Sequence, residues 1–84
     1  MEQTRVGRVF KFFAQPSVAA IELTDGALRV GDTIHVQGAT TDFSQEVESM
    51  QIEHDVVEGA KQGQSVGVKV KERVRPGDLV YRMS

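Results

Sequence analysis

The residues in this chain that could do chemistry are few, and their spacing rarely lets them meet. His35 and His54 stand on different parts of the chain. His54 lies between Glu53 and Asp55, a trio of metal-ligand type. Adjacent strand residues point to opposite faces, however, so three consecutive side chains do not converge on one ion. Glu46, Glu48, Glu53, Asp55 and Glu58 make the stretch from 43 to 60 acidic, with no basic residue in it. Strand alternation sets Glu46 and Glu48 side by side, which makes a wet acidic surface rather than an acid–base pair. Ser, His and Asp are all present, but without nucleophile-elbow spacing. Gly31, Gly63 and Gly77 are isolated turn glycines, and no GxxxxGK[ST] phosphate loop occurs. The chain has no cysteine, which removes disulfides, thiolate metal sites and cysteine nucleophiles together. The expectation is a protein with no catalytic, cofactor or metal site, with a metal-dependent enzyme built on His54 and its acidic neighbours as the remote alternative.

Two stretches are better suited to binding. Lys69, Lys71, Arg73 and Arg75 are basic at every second position. In an extended strand they would line one face as a stripe roughly 20 Å long, able to follow a phosphate backbone or dock an acidic partner. Arg5, Arg8 and Lys11 would lengthen the stripe if the two ends of the chain pair. The plainer reading is a solvated outer face with Val68, Val70 and Val74 packed inward, and no aromatic side chains interleave with the charges as stacking platforms. The second stretch is Thr40, Thr41, Asp42 and Phe43, either an exposed recognition loop or a wide turn capped by Thr and Asp and anchored by Phe43.

The elements that must carry these residues are strands. Three times a glycine turn leads into a short alternating run: Val30-Gly31-Asp32 into 33–36, Lys61-Gln62-Gly63-Gln64 into 65–68, and Arg75-Pro76-Gly77-Asp78 into 79–82. Pro76 presets φ for position i+1 of a type II turn and Gly77 accepts the positive φ at i+2, while Asp32 and Asp78 can bond the turns' own amides. Further strands are expected over 4–13, with a bulge at Gly7, over 18–23, ended by the hairpin dipeptide Asp25-Gly26, over 33–37, and over 43–53 with a register shift. Asp55 with Glu58 has capping-box spacing and Gly63 can stop a helix, so one or two helical turns are expected over 55–63. Strands over 66–70 and 79–81 complete six. At 84 residues, 39% hydrophobic and 26% charged, the chain makes one globular domain, 1–84, with a modest core. The polar run Met1-Glu2-Gln3-Thr4-Arg5 is not a signal peptide, and no apolar stretch approaches membrane-span length. A cytoplasmic location is expected, and the net charge of −2 argues against indiscriminate nucleic-acid or membrane binding.

Taken together, the runs 28–34, 47–52, 57–63, 66–70 and 74–80 resemble the second domain of translation GTPases such as elongation factor Tu. Gly38-Ala39-Thr40-Thr41-Asp42-Phe43, Ser49-Met50-Gln51-Ile52-Glu53-His54 and Val74-Arg75-Pro76-Gly77-Asp78 resemble more closely the small carboxyl-terminal barrel of the collagenase-like peptidase family. The resemblance runs from about Arg5 to Tyr81. It implies an all-β fold, a small six-stranded Greek-key barrel of the translation-factor domain II type with one short helical turn. Neither a GTPase domain nor a peptidase domain accompanies it in these residues, so it implies a free-standing, non-enzymatic accessory barrel without nucleotide chemistry. In the relatives such barrels contact RNA, the acceptor end of tRNA or a neighbouring domain. The expectation is therefore a module for a protein or RNA partner in translation or RNA metabolism.

Overall fold

The computed structural model describes residues 2–83, so Met1 of the polar amino-terminal run lies outside the described residues. Its strands are β1 (Gln3–Phe13), β2 (Val18–Glu22), β3 (Leu28–Arg29), β4 (Thr33–Gln37), β5 (Asp42–Glu46), β6 (Met50–Ile52), β7 (Asp55–Val57), β8 (Gly59–Ala60), β9 (Ser65–Lys69) and β10 (Leu79–Met83). Eight of them form one antiparallel sheet in the order β5-β4-β10-β1-β2-β9-β6-β7, and β3 pairs with β8. Among the described residues there is no helix, and so none able to cross a membrane. The fold is all-β and barrel-like, and the two ends of the chain pair through β1 and β10.

The three glycine turns are built alike. Gly31, Gly63 and Gly77 have φ of 98°, 95° and 98°, a region that side chains other than glycine enter only under strain. In each turn the amide of the fourth residue donates to the carbonyl of the first: Asp32 to Arg29 (3.0 Å), Gln64 to Lys61 (3.1 Å) and Asp78 to Arg75 (3.0 Å). The fourth side chain then accepts from the first residue's amide, at 2.9 Å for Asp32, 2.9 Å for Gln64 and 2.8 Å for Asp78. The aspartates do what their spacing predicted, and Gln64 plays the same part in the second turn. Gly7 sits at the expected bulge, where the β1–β10 register slips between Arg5 and Gly7. A Cβ there would run into the carbonyl of Glu22. The core is mostly aliphatic, joined by Phe43, with Ile21, Leu23, Leu28, Ile34 and Met50 its largest fully buried side chains.

Four expectations are corrected. Residues 55–63 are not helical: Ile52 faces Asp55 and Met50 faces Val57, so the segment pairs as a hairpin strand and then as β8. Asp25-Gly26 does not close a hairpin, because the Asp25 amide donates to the Val6 carbonyl and the chain leaves for β3. The single strand over 43–53 breaks into β5 and β6. At the break Val47 is buried, donating to Asp32 and accepting from Gly31. The strand over 66–70 ends at Lys69, and the chain bends at Lys71 and Glu72. Alternation continued from the buried Val70 would turn Glu72 inward; the bend keeps it exposed and still buries Val74. The sheet's free edge β5 is tied across this bend by one side chain. Gln45 donates from Nε2 to the Lys69 carbonyl at 2.9 Å and accepts at Oε1 from the Lys71 amide at 2.8 Å, standing in for a strand's backbone.

Candidate partner-binding face

The basic residues do not form the expected straight stripe. Lys69, Lys71, Arg73 and Arg75 are all exposed, but only Lys69 lies on a strand, and the bend turns the others away from its line. Nor do Arg5 and Arg8 extend a free basic row, since Arg5 pairs with Asp25 at 3.1 Å and Arg8 with Glu22 at 3.3 Å. In the 40–43 stretch, Thr41 and Phe43 are buried and Asp42 and Phe43 belong to β5, so Thr40 and Asp42 are what it displays. The Asp42 carboxylate is engaged: His35 Nε2 lies 2.5 Å from its Oδ1, and His35 Nδ1 lies 2.7 Å from Gln3 Oε1. With both ring nitrogens occupied, His35 activates no nucleophile. Ser44, its cross-strand neighbour, donates instead to Met83 Sδ. Among the described residues no three His, Asp or Glu side chains gather as a metal site.

What the tertiary structure assembles is a face that no single segment spells out. In β1 the register with β2 slips a second time, between Val9 and Lys11, and Phe10 is the extra residue. The bulge lets Val9 stay buried while Phe10 and Lys11 both point outward. Phe10 is 49% exposed and Phe13 43%. Across the sheet from them run two rows, Phe13–Val18–Lys69 and Lys11–Ala20–Gly67–Gln51. The centre of the second row is one methyl group and one hydrogen. This leaves a trough of about 490 Å³, walled by Phe10 and Phe13 on one side and by Gln51, Glu53 and His54 on the other. Lys11 Nζ lies 5.0 Å from the centre of the Phe13 ring, a cation–π contact.

The far wall ends in backbone strain. Glu53 (φ 49°) and His54 (φ 71°) are the two-residue loop between β6 and β7. A two-residue loop of the type I′ kind demands positive φ at both positions, and glycine or asparagine would meet the demand more cheaply. His54, which the sequence suggests as a metal ligand only in company, thus stands at the trough's rim. The sequence does carry one signal of this face. Val9-Phe10-Lys11-Phe12-Phe13 holds more large apolar residues than a half-buried strand can bury by alternation.

Comparison with models of known protein families finds no match. The chain is 42% identical over 82 residues to a collagenase of Porphyromonas gingivalis, covering 96% of this chain and 23% of that protein. It is 52% identical over 77 residues to an uncharacterized protease of Methanocaldococcus jannaschii, covering 90% of this chain and 19% of the relative. It therefore spans about a fifth of the length of these curated relatives. Among solved structures it superposes on the C-terminal domain of a U32 peptidase from Geobacillus thermoleovorans with a TM-score of 0.86 at 23% identity, covering 94% of this chain and 98% of that domain. It also superposes on the GDP-bound translation factor aIF5B from Aeropyrum pernix, with a TM-score of 0.70 at 18% identity, covering 98% of this chain and 15% of the factor. The fold is that of the peptidase C-terminal domain, and a translation-factor domain shares it.

Proposed function

We propose that this domain is a non-catalytic accessory module that binds a protein partner through the Phe10–Phe13 trough, in the cytoplasm and in the service of translation or RNA metabolism. The observation that carries the reading is the exposure of two phenylalanines over a floor of small residues. Aromatic anchors beside a recess are the side chains that dominate the energetics of protein interfaces, and a contiguous apolar patch on a small soluble domain marks an interaction surface. The collagenase and protease relatives extend far beyond the matched region, which supports an accessory role for this part rather than a catalytic one. The setting in translation rests on the fold shared with aIF5B alone.

The test is affinity capture from native lysate with and without nuclease, comparing the parent with a Phe10→Ala/Phe13→Ala variant. The expected outcome is a protein that survives nuclease and is lost with the two rings. A second reading, single-stranded RNA, is favoured by one observation: Lys11 and Lys69 flank the Phe13 end of the trough, so aromatic and basic groups meet there after all. RNA binding would weaken steeply with salt, with a slope of roughly 0.7 per phosphate neutralised. It would also fail in a Lys69→Glu/Lys71→Glu/Arg73→Glu/Arg75→Glu variant. If that variant binds tRNA as well as the parent does, the RNA reading ends.

A further inference from the structure

We infer that the occupant of the trough is a single amphipathic α-helix from a partner protein, lying along the strands with its N-terminal end over Glu53 and its C-terminal end toward Lys69. This rests on the protein-binding reading above and specifies the partner's shape and polarity.

Three features lead to a helix. The first is hydrogen bonding. β2 lies between β1 and β9, and β9 lies between β2 and β6, so the backbone of the floor is paired on both sides. An extended peptide laid there would find no free amides or carbonyls and would leave its own unsatisfied. A helix arrives with its backbone already bonded. The second is width. From β1 to β6 is three strand spacings, about 14 Å, which admits a helix of about 10–12 Å diameter with its side chains. Ala20 and Gly67 let that helix approach closely, and the outward-facing Val56, 76% exposed beside Gln51, continues the apolar surface past the far wall. The third is source. There is no helix among the described residues, so a second copy of residues 2–83 does not supply one.

Charge sets the direction. Ser65 and Glu53 lie at one end of the trough, and Lys69 with Phe13 at the other. Neither Glu53 nor Lys69 has an ion-pair partner among the described residues, whereas Arg8 and Glu22 neutralise each other. A helix presents partial positive charge at its N-terminus and partial negative charge at its C-terminus. The acidic end of the trough therefore takes the first and the basic end the second. From the Ser65 row to the Lys69 row is four residues, about 13 Å, or between two and three helical turns, enough for anchors at i, i+3, i+4 and i+7.

The test uses the full chain and a designed peptide of about 18 residues with leucines at that spacing, together with a scrambled control, a proline-interrupted control and an oligo-uridine. Titration is followed by two-dimensional amide spectra. The helical peptide is expected to bind and to shift Phe10, Ala20, Gly67 and His54, and the controls to bind at least about tenfold more weakly. Gly67→Leu fills the floor. Its new Cβ meets only the tip of Val18 at 3.2 Å and the Gln51 carbonyl at 3.9 Å, and the backbone there is not left-handed, so the variant's own amide spectrum should report an intact fold. It should weaken the peptide by about tenfold or more, and Phe10→Ala, which adds no atoms, should do the same. A spin label on the peptide's N-terminus should broaden His54 and Ser65, and one on its C-terminus Phe13 and Lys69. Equal binding by the scrambled or proline-interrupted peptide, indifference to both variants, reversed broadening, or oligo-uridine taking the trough instead would each overturn the inference. If the lysate capture depends on Phe10 and Phe13 while the helical peptide fails, the helix is wrong and the module reading stands.

Discussion

The same four strands, β1, β2, β9 and β6, present two unlike faces. Inward, Val9, Ala19, Ile21, Val66, Val68 and Met50 interlock with almost no accessible surface. Outward, the matching positions carry Ala20, Gly67 and two half-exposed phenylalanines. Both faces are apolar near their middle, yet one has neighbours to fill it and the other has none among the described residues. Apolar character alone therefore does not separate core from interface in so small a domain; what separates them is whether large side chains from elsewhere in the chain close over the surface.

Four measurements would break or sharpen that contrast, and the largest effect belongs to the inner face. Ile21→Ala leaves a cavity among fully buried neighbours. It should cost about 3 kcal/mol in urea unfolding, and a loss below about 1 kcal/mol would mean that this face repacks as loosely as the outer one. Next come two turns of equal geometry and unequal burial. Asp78 is 4% exposed and sits against Gly38, whereas Asp32 is only half-buried. Asp78→Ala should cost about 2 kcal/mol and Asp32→Ala about 1 kcal/mol, because a lost partner is dearer where water cannot replace it. Equal losses would show that the turn and not its burial decides. At the rim, His54→Gly relieves a left-handed residue and should raise stability by about 1 kcal/mol, read from the urea midpoint; a loss would reveal a stabilising contact of the ring. Smallest is Phe10→Ala, which should change stability by about 0.5 kcal/mol or less while abolishing capture of the partner. A core-sized loss would place Phe10 with the inner face.

How much of this was legible in the sequence varied with the range of the interaction involved. The three glycine turns could be read because each closes within four residues, through a hydrogen bond and a side chain that the local order dictates. The helix expected over 55–63 failed because capping-box spacing is a weak local preference, and the pairing of Met50 with Val57 overrode it. The basic stripe failed because it assumed extension through Glu72, and the chain bends there between Val70 and Val74, both of which are buried. The trough was hidden most completely. Phe10, Ala20, Gly67 and Gln51 are far apart in sequence, and only the pairing of β1, β2, β9 and β6 sets them side by side.

By itself the sequence determined the corners and the class of the fold: where the chain must turn, that it alternates between turns, and that it carries no cysteine chemistry. Those properties depend on dihedral preferences and short-range hydrogen bonds, which any stretch of chain expresses locally. Only the tertiary structure decided which apolar residues are core and which are displayed. A one-residue slip between Val9 and Lys11 reverses the direction of every side chain beyond it. Such a slip comes from how β1 and β2 settle their register across the sheet; the excess of large apolar residues at 9–13 signals a displayed face but does not say where the slip falls.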